Sequence, residues 1–268
     1  EVHLIRNARN EGYSRGNNVG IRAARGRHVL LLNSDTEPAP RALRALVRFL
    51  DESPSYGAVG ARLWNPDGTL QRACMRFPTL ATALLYDSPL GRRFPGNPVE
   101  RRHFYRDFDH VDSRDVDQPP GAALALRRAA LDQVGLLDEE MFLFFNDVDL
   151  CKRLLAAGWR IRYLADANVV HHVGASTSRY PAFAAEYFRN KIAYFRKHHG
   201  ALGESVFRAI TRFRAREEKA KLRATMKPSP ELEASLAGVD HALSTALRRD
   251  AGGRGVIAEL GATSERLN

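Results

Sequence analysis

Short apolar runs and helical repeats alternate through the first 64 residues, a rhythm that few architectures accommodate. His28–Leu32 is a buried strand by its valine and leucine content, closed by Asn33-Ser34-Asp35. Pro38 and Pro40 then open a helix in which Leu43, Leu46, Val47 and Leu50 recur at helical spacing. Residues 56–63 form the next strand, ended by the turn residues Asn65-Pro66-Asp67-Gly68. Ahead of these, residues 2–6 read as a short apolar strand. A Gly/Asn-rich turn, 7–18, follows it and leads into a helix through Ile21 and Ala24. Strands separated by helices of this length predict an α/β, Rossmann-like fold: a mostly parallel sheet sandwiched by helices.

The rhythm loosens over 77–118. Six Arg and six acidic residues between 92 and 117 suggest a long surface loop. A strand over 121–126, a helix over 127–134, a helix from 146 to 157 ended by Gly158, and two short strands at 160–164 and 168–171 follow. Beyond Pro181 the pattern is helical. Phe183, Tyr187, Ile192 and Phe195 mark one helix and Val206, Phe207, Ile210 and Phe213 a second, with a third over 230–248 and a disordered tail over 251–268. With 44% apolar and 27% charged residues the chain is neither fibrous nor wholly disordered. Two cysteines, Cys74 and Cys151, make neither a disulfide framework nor a zinc site, which points to a reducing cytoplasm.

Net charge is +10, which on its own suggests nucleic acid. Its placement argues otherwise. Residues 189–227 hold 12 Lys+Arg against 3 acids, a local +9, so the remainder carries only +1 of the +10. No finger, homeodomain or basic-zipper pattern accompanies the charge, and nucleic acid is disfavoured as a partner. A basic, amphipathic helix suits an anionic membrane surface; the plain alternative packs its apolar stripe on the domain and solvates its basic face.

Four constellations can carry chemistry. Asn33-Ser34-Asp35-Thr36 follows a buried strand, where open α/β sheets bind ligands. A carboxylate there can hold a divalent cation against phosphates, or an Asx turn can cap the next helix. In Phe145-Asn146-Asp147-Val148-Asp149 the two acids are two apart and share no helical face, so one is expected to be chemical and the other structural. A helix N-terminus keeps an acid ionised and usable as a base; ordinary N-capping by Asn146 and Asp147 is the alternative. Val169-Val170-His171-His172 ends a strand in a metal ligand or in a satisfied core histidine. Finally, N-x-x-N-x-G-Y-S-x-G-N-N-x-G, residues 7–20, resembles a phosphate loop but matches neither the Walker nor the Rossmann spacing, leaving a ligand or a tight turn.

Taken in order, these motifs together with G-A-x-L-x-x-R-R and N-D-V-D-L-C-x-R-x-x-x-A-G-W closely resemble glycosyltransferase family 2, and among its members the bacterial rhamnosyltransferase-like branch with the GT-A fold. The resemblance covers residues 2–199. It implies an inverting transfer of a sugar from a nucleotide donor, with rhamnose from dTDP preferred and UDP-linked sugars as alternatives. The implied acceptor is a glycan or lipid-linked molecule in cell-surface polysaccharide synthesis. Asp147 matches the general base, Asp35 the metal acid of the D-x-D motif (its first position here is Asn33), and His171 a further ligand to the metal, Mg2+ or Mn2+, or to the diphosphate. Asn10, Gly16, Asn17 and Asn33 match the nucleotide-lining segments. Gly121, Ala122, Asn146 and Trp159 match the sugar and acceptor side.

The family begins with two further strand–helix units, and the chain opens on Glu1, so the catalytic domain is expected to be N-terminally incomplete. A non-catalytic remnant or a membrane-surface module is the competing reading. The expected organisation is a catalytic domain at 1–199, a basic helical extension at 200–250 and the tail, in a cytoplasmic protein peripheral on the inner face of the plasma membrane.

Overall fold

The computed structural model describes residues 2–173 and 183–248. Helix α1 (Gly12–Ala23) precedes β1 (His28–Leu32), β2 (Thr36–Pro38), α2 (Ala42–Glu52), β3 (Tyr56–Trp64) and β4 (Leu70–Gln71). A helical insert follows: α3 (Leu80–Thr82), a π-helical turn (Ala83–Asp87), α4 (Pro89–Arg93) and α5 (Pro98–His103). The chain returns through β5 (Arg114–Asp115), β6 (Ala123–Arg127), α6 (Arg128–Val134), α7 (Asn146–Ala156) and β7 (Arg160–His171), then ends in α8 (Phe183–Thr225) and α9 (Pro230–Leu247).

The α/β class holds, but the sheet is mixed rather than mostly parallel. Its order is β1-β6-β3-β7-β2, and only β3 and β7 pair in parallel among the described strands. Strands β1 and β3 both run antiparallel to β6 and hence parallel to each other, as the strand–helix–strand rhythm requires. Strand β6, arriving after the 77–118 excursion, slots between them and converts two parallel neighbours into two antiparallel pairs. Chain rhythm reports strand direction; it does not report which strand is interposed.

Side chains alternate across the sheet. On one face Leu124 and Leu126 of β6 pack with Ile21, Leu131, Leu150 and Leu154 of α1, α6 and α7. On the other, Ala123 and Ala125 join Leu46 and Leu50 of α2, Val59 and Val169. A third cluster, with Met141, Phe145, Val148, Tyr194, Phe195 and Phe207, fastens the start of α7 to α8.

Several expectations are corrected. Residues 2–6 form no strand; Val2 and Leu4 are exposed because no described strand lies beside them to pair with. The stretch over 92–117 is not one long loop: it holds the end of α4, α5 and β5, and 104–113, between α5 and β5, is irregular. Thr79 forms a capping box, and Ser88-Pro89 and Asn97-Pro98 are N-cap and first-turn pairs that start α4 and α5. The strands at 160–164 and 168–171 are one strand whose pairing with β3 skips from Leu164 to Asn168. The first two C-terminal helices are the halves of α8, kinked where Gly200 takes φ 65 and ψ −161. Of the apolar stripe there, Phe207 and Ile210 are buried in the third cluster, Val206 packs against it, and Phe213 is exposed. The stripe therefore holds the extension to the domain. The tail at 251–268 lies outside the described residues. No helix among the described residues is long and apolar enough to cross a membrane.

Candidate active site

A cleft of about 470 Å3 opens where β1, β7 and the segment entering β6 end; Asn33, Gln118, Gly121, Ala122, Asn146, Asp147 and His171 line it. The tip of β1 is tied to that segment by the Asn33 N–H donating to the Ala122 carbonyl at 2.9 Å.

Asp147 stands in the first turn of α7. Its Oδ1 accepts from the Val148 N–H at 2.9 Å and its Oδ2 from Gln118 Nε2 at 3.4 Å. Burial pushes its carboxyl above the ordinary range, while those hydrogen bonds pull the other way. Gly121 is what makes room for it: a Cβ there would lie 2.4 Å from Asp147 Oδ2 and 3.0 Å from its Cγ. Phe145, just before the helix, is held at φ 64, a conformation bulky residues rarely adopt and one that occurs preferentially at functional sites. Asn146 stays buried, its Oδ1 accepting from the Asp147 N–H at 2.8 Å and its Nδ2 donating to the Leu143 carbonyl at 3.1 Å.

Asp149 faces away from Asp147, as the two-residue spacing requires. It is fully buried and takes Arg153 Nε on Oδ2 at 2.8 Å, with Lys197 Nζ and His198 Nε2 on Oδ1, each at 2.8 Å. Burial alone would raise its pKa; the His198 hydrogen bond and the Arg153 and Lys197 charges overcome that and bring it down to about 2. Arg153 also donates to the carbonyls of Val134 and Leu136, so this acid anchors α7 against its surroundings.

Strand register brings the two metal candidates together. Thr36 pairs with His171, and the His172 N–H donates to the Asp35 carbonyl, so Asp35 meets the end of β7. His171 Nε2 lies 3.5 Å from Asp35 Oδ1. Gln71 clamps the imidazole from behind: its Oε1 is 3.1 Å from His171 Nδ1 and its Nε2 donates to the His171 carbonyl at 2.8 Å. Burial first, with His172 also contributing, holds the His171 pKa below its usual value against the pull of Asp35, which favours the neutral imidazole that binds metals. Asn33 Oδ1 is buried with no hydrogen-bond partner. Among the described residues no three His, Cys, Asp or Glu side chains converge. A carboxylate and an imidazole, with further positions left to water and phosphate oxygens, fit a divalent cation of the magnesium or manganese kind. His172 instead meets Glu37 at 2.9 Å on the surface.

Three nucleotide candidates lie elsewhere than the cleft lining. The Gly/Asn-rich segment, expected to hold a ligand or a tight turn, is mostly α1: Asn10 Oδ1 accepts from the Gly12 N–H at 3.0 Å, and the helix begins there. Asn17 Nδ2 donates to the Tyr13 carbonyl of its own helix, and a Cβ on Gly16 would meet nothing. Tyr13, which sequence reasoning passed over, is the cleft residue of this segment. Buried Asn18 holds Leu137 by two hydrogen bonds, at 2.9 and 3.1 Å. Trp159 is not brought to the cleft either. It sits beyond the far end of α7, about 16 Å of helix from Asn146, packed on Gly57 and the edge of the first core cluster and bonded to Gln133 at 2.8 Å. Gln71, Gln118, Tyr86, Tyr187 and Lys191 complete the cleft without belonging to any motif. Lys191 is buried against Asp87 at 2.7 Å.

Comparison with known proteins gives the same family as the motif order. The profile described as "Glycosyltransferase like family 2" matches residues 1–194. An N-acetylglucosaminyl-diphospho-decaprenol L-rhamnosyltransferase of Mycobacterium tuberculosis is 34% identical over 154 residues, 58% of this chain and 50% of that protein. A low-salt glycan biosynthesis hexosyltransferase of Haloferax volcanii is 25% identical over 197 residues, 71% of this chain and 59% of that one. The chain thus spans about half the length of the curated relatives it matches. Among solved structures, GalNAc-T7 with UDP, GalNAc and Mn2+ aligns at TM-score 0.48 and 13% identity, covering 89% of this chain and 42% of that one. A Pyrobaculum calidifontis mannosyltransferase with GDP-Man and Mn2+ aligns at TM-score 0.45 and 18% identity, covering 99% and 62%. With its profile match over 1–194, the chain belongs to glycosyltransferase-like family 2.

Proposed function

We propose that this chain carries the catalytic cleft of a metal-dependent, inverting glycosyltransferase. Its donor is a nucleotide sugar, dTDP-rhamnose first and UDP-linked sugars next, and its acceptor a glycan or a lipid-linked saccharide at the cytoplasmic face of the membrane. The observation that carries the reading is Asp147, a partly buried carboxylate at a helix N-terminus, seated against Gly121 in the same cleft as His171, the partner of Asp35.

In the transfer, Asp147 accepts the proton of the acceptor hydroxyl as that oxygen forms its bond to the anomeric carbon. The bond from the anomeric carbon to the diphosphate oxygen breaks on the opposite face, and the nucleoside diphosphate leaves with that electron pair. Burial strengthens Asp147 as a base, and the Val148 N–H fixes one oxygen so that the other can turn to the substrate. Asp35 and His171 would hold Mg2+ or Mn2+, which supplies charge neutralisation to the departing diphosphate. Asn33, with its unpartnered buried oxygen, is available to a polar group of the donor. Rhamnose and the lipid-linked acceptor are preferred because a relative is named for that transfer.

Titrating Mn2+ and dTDP or UDP into the intact protein tests the cleft. The account expects a rise in thermal midpoint that needs both cation and nucleotide and is lost in Asp35→Ala. No shift with either nucleoside diphosphate overturns it.

A further inference from the structure

We infer that the helical insert, residues 80–106, and not the basic stretch of α8, is the surface by which this protein sits on an anionic membrane. The inference rests on the membrane-side acceptor proposed above. Of the apolar stripe of α8, Phe207 and Ile210 are committed to the third core cluster and Val206 packs against it, which leaves a single exposed member, Phe213. The insert has the opposite character. Leu84, Leu90 and Phe94 are 47%, 52% and 58% exposed; Leu90 lies in α4 and Phe94 is the residue that ends it. The same segment carries Arg92, Arg93, Arg101, Arg102 and Arg106, all exposed, of which Arg92 is paired with Glu217 of α8. The acids of the segment do not balance the other four: Asp87 is buried with Lys191, leaving Glu100.

Protruding aliphatic and aromatic side chains in a segment rich in exposed arginines match an anionic bilayer surface. The apolar groups insert at the acyl boundary while guanidinium groups meet lipid phosphates. Continuity with the cleft favours a bilayer over a soluble partner. Tyr86, His103 and Phe104 of the same insert form one cleft wall, so docking this surface brings the cleft mouth to headgroup level. A lipid-linked acceptor would present its saccharide at that level. Arg92 also rims a groove of about 760 Å3 between α8 and α9, lined by Ala184, Phe188, Ala215 and Leu243, which extends the apolar surface away from the cleft.

Co-sedimentation of the intact protein with vesicles tests the assignment, using phosphatidylcholine alone and phosphatidylcholine with about a third phosphatidylglycerol. Binding is expected to the anionic vesicles, falling with salt. The double variants Leu90→Ser/Phe94→Ser and Arg93→Gln/Arg102→Gln should each weaken it about tenfold or more. Arg212→Gln/Arg216→Gln on α8 should change it by less than about twofold. Each variant is checked for the cation- and nucleotide-dependent thermal shift, which reports a folded cleft. Absence of binding to anionic vesicles, equal binding to neutral ones, or loss through the α8 pair with the insert variants unaffected overturns the assignment. A wild-type protein that binds vesicles through the insert but shows no nucleotide shift upholds this surface and sinks the glycosyltransferase reading instead.

Discussion

Replacing Gly121 by Ala should abolish the proposed sugar transfer while barely touching the fold. The added Cβ would lie 2.4 Å from Asp147 Oδ2, 3.0 Å from Cγ and 3.2 Å from Cβ. Ordinary van der Waals contact begins at about 3.4 Å, so the carboxylate must retreat by about 1 Å. Turning the terminal carboxyl about its own bond moves Oδ2 but not Cγ or Cβ, so the side chain shifts as a whole. It strains its rotamer and its hydrogen bond to the Val148 N–H, at a cost of about 1 kcal/mol in stability. For a general base the same displacement is severe: 1 Å out of place costs about a hundredfold in turnover. Release of nucleoside diphosphate by the intact protein, beside a denaturant titration, reads both numbers. In an Asp147→Asn background the substitution should add little further loss. Turnover in Gly121→Ala within about twofold of wild type would refute the reasoning, since the carboxylate that Gly121 accommodates would then not be the group that does the chemistry.

Asp149 predicts a pH dependence. Its folded pKa is depressed from 3.8 to about 2, so the stability it contributes is present above the unfolded value and is lost as pH falls from about 4 through about 2. That shift corresponds to roughly 2 kcal/mol, so Asp149→Asn should lower stability near neutrality by about that amount and flatten the acid limb of a stability-against-pH curve. Gln71→Leu removes the clamp on His171 and should weaken Mn2+ affinity by about ten- to a hundredfold in calorimetry, with the thermal midpoint without metal little changed.

Much of this was legible in sequence because periodicity and caps are local. The strand before Asn33, the helix carrying Leu46 and Leu50, and the helix from Asn146 followed from patterns whose physics lies within a dozen residues. Asp35 and His171 sit in motifs far apart in the chain that the family resemblance joins at one metal, and the register between β2 and β7 brings them side by side. What escaped depended on distant neighbours. The place of β6 between β1 and β3 is a choice among sheet orders that no local pattern encodes. The helices of the insert were signalled by Ser88-Pro89 and Asn97-Pro98, but the density of charge there read as loop. Gln71 and Gln118 are single polar residues whose roles exist only once the chain is folded around His171 and Asp147. Trp159 shows the converse: proximity in a motif set it beside the base, whereas the length of α7 carries it to the opposite end.

The central claim is that Asp147 is the base of a sugar transfer from a nucleotide donor. It is tested most directly by offering dTDP-rhamnose and UDP-linked sugars, with Mn2+ and a lipid-linked saccharide acceptor, to the intact protein and to its Asp147→Asn variant. The account predicts acceptor-dependent nucleoside-diphosphate release by wild type. It predicts loss of that release in the variant, with the nucleotide-dependent thermal shift retained. Equal release by both proteins would contradict it.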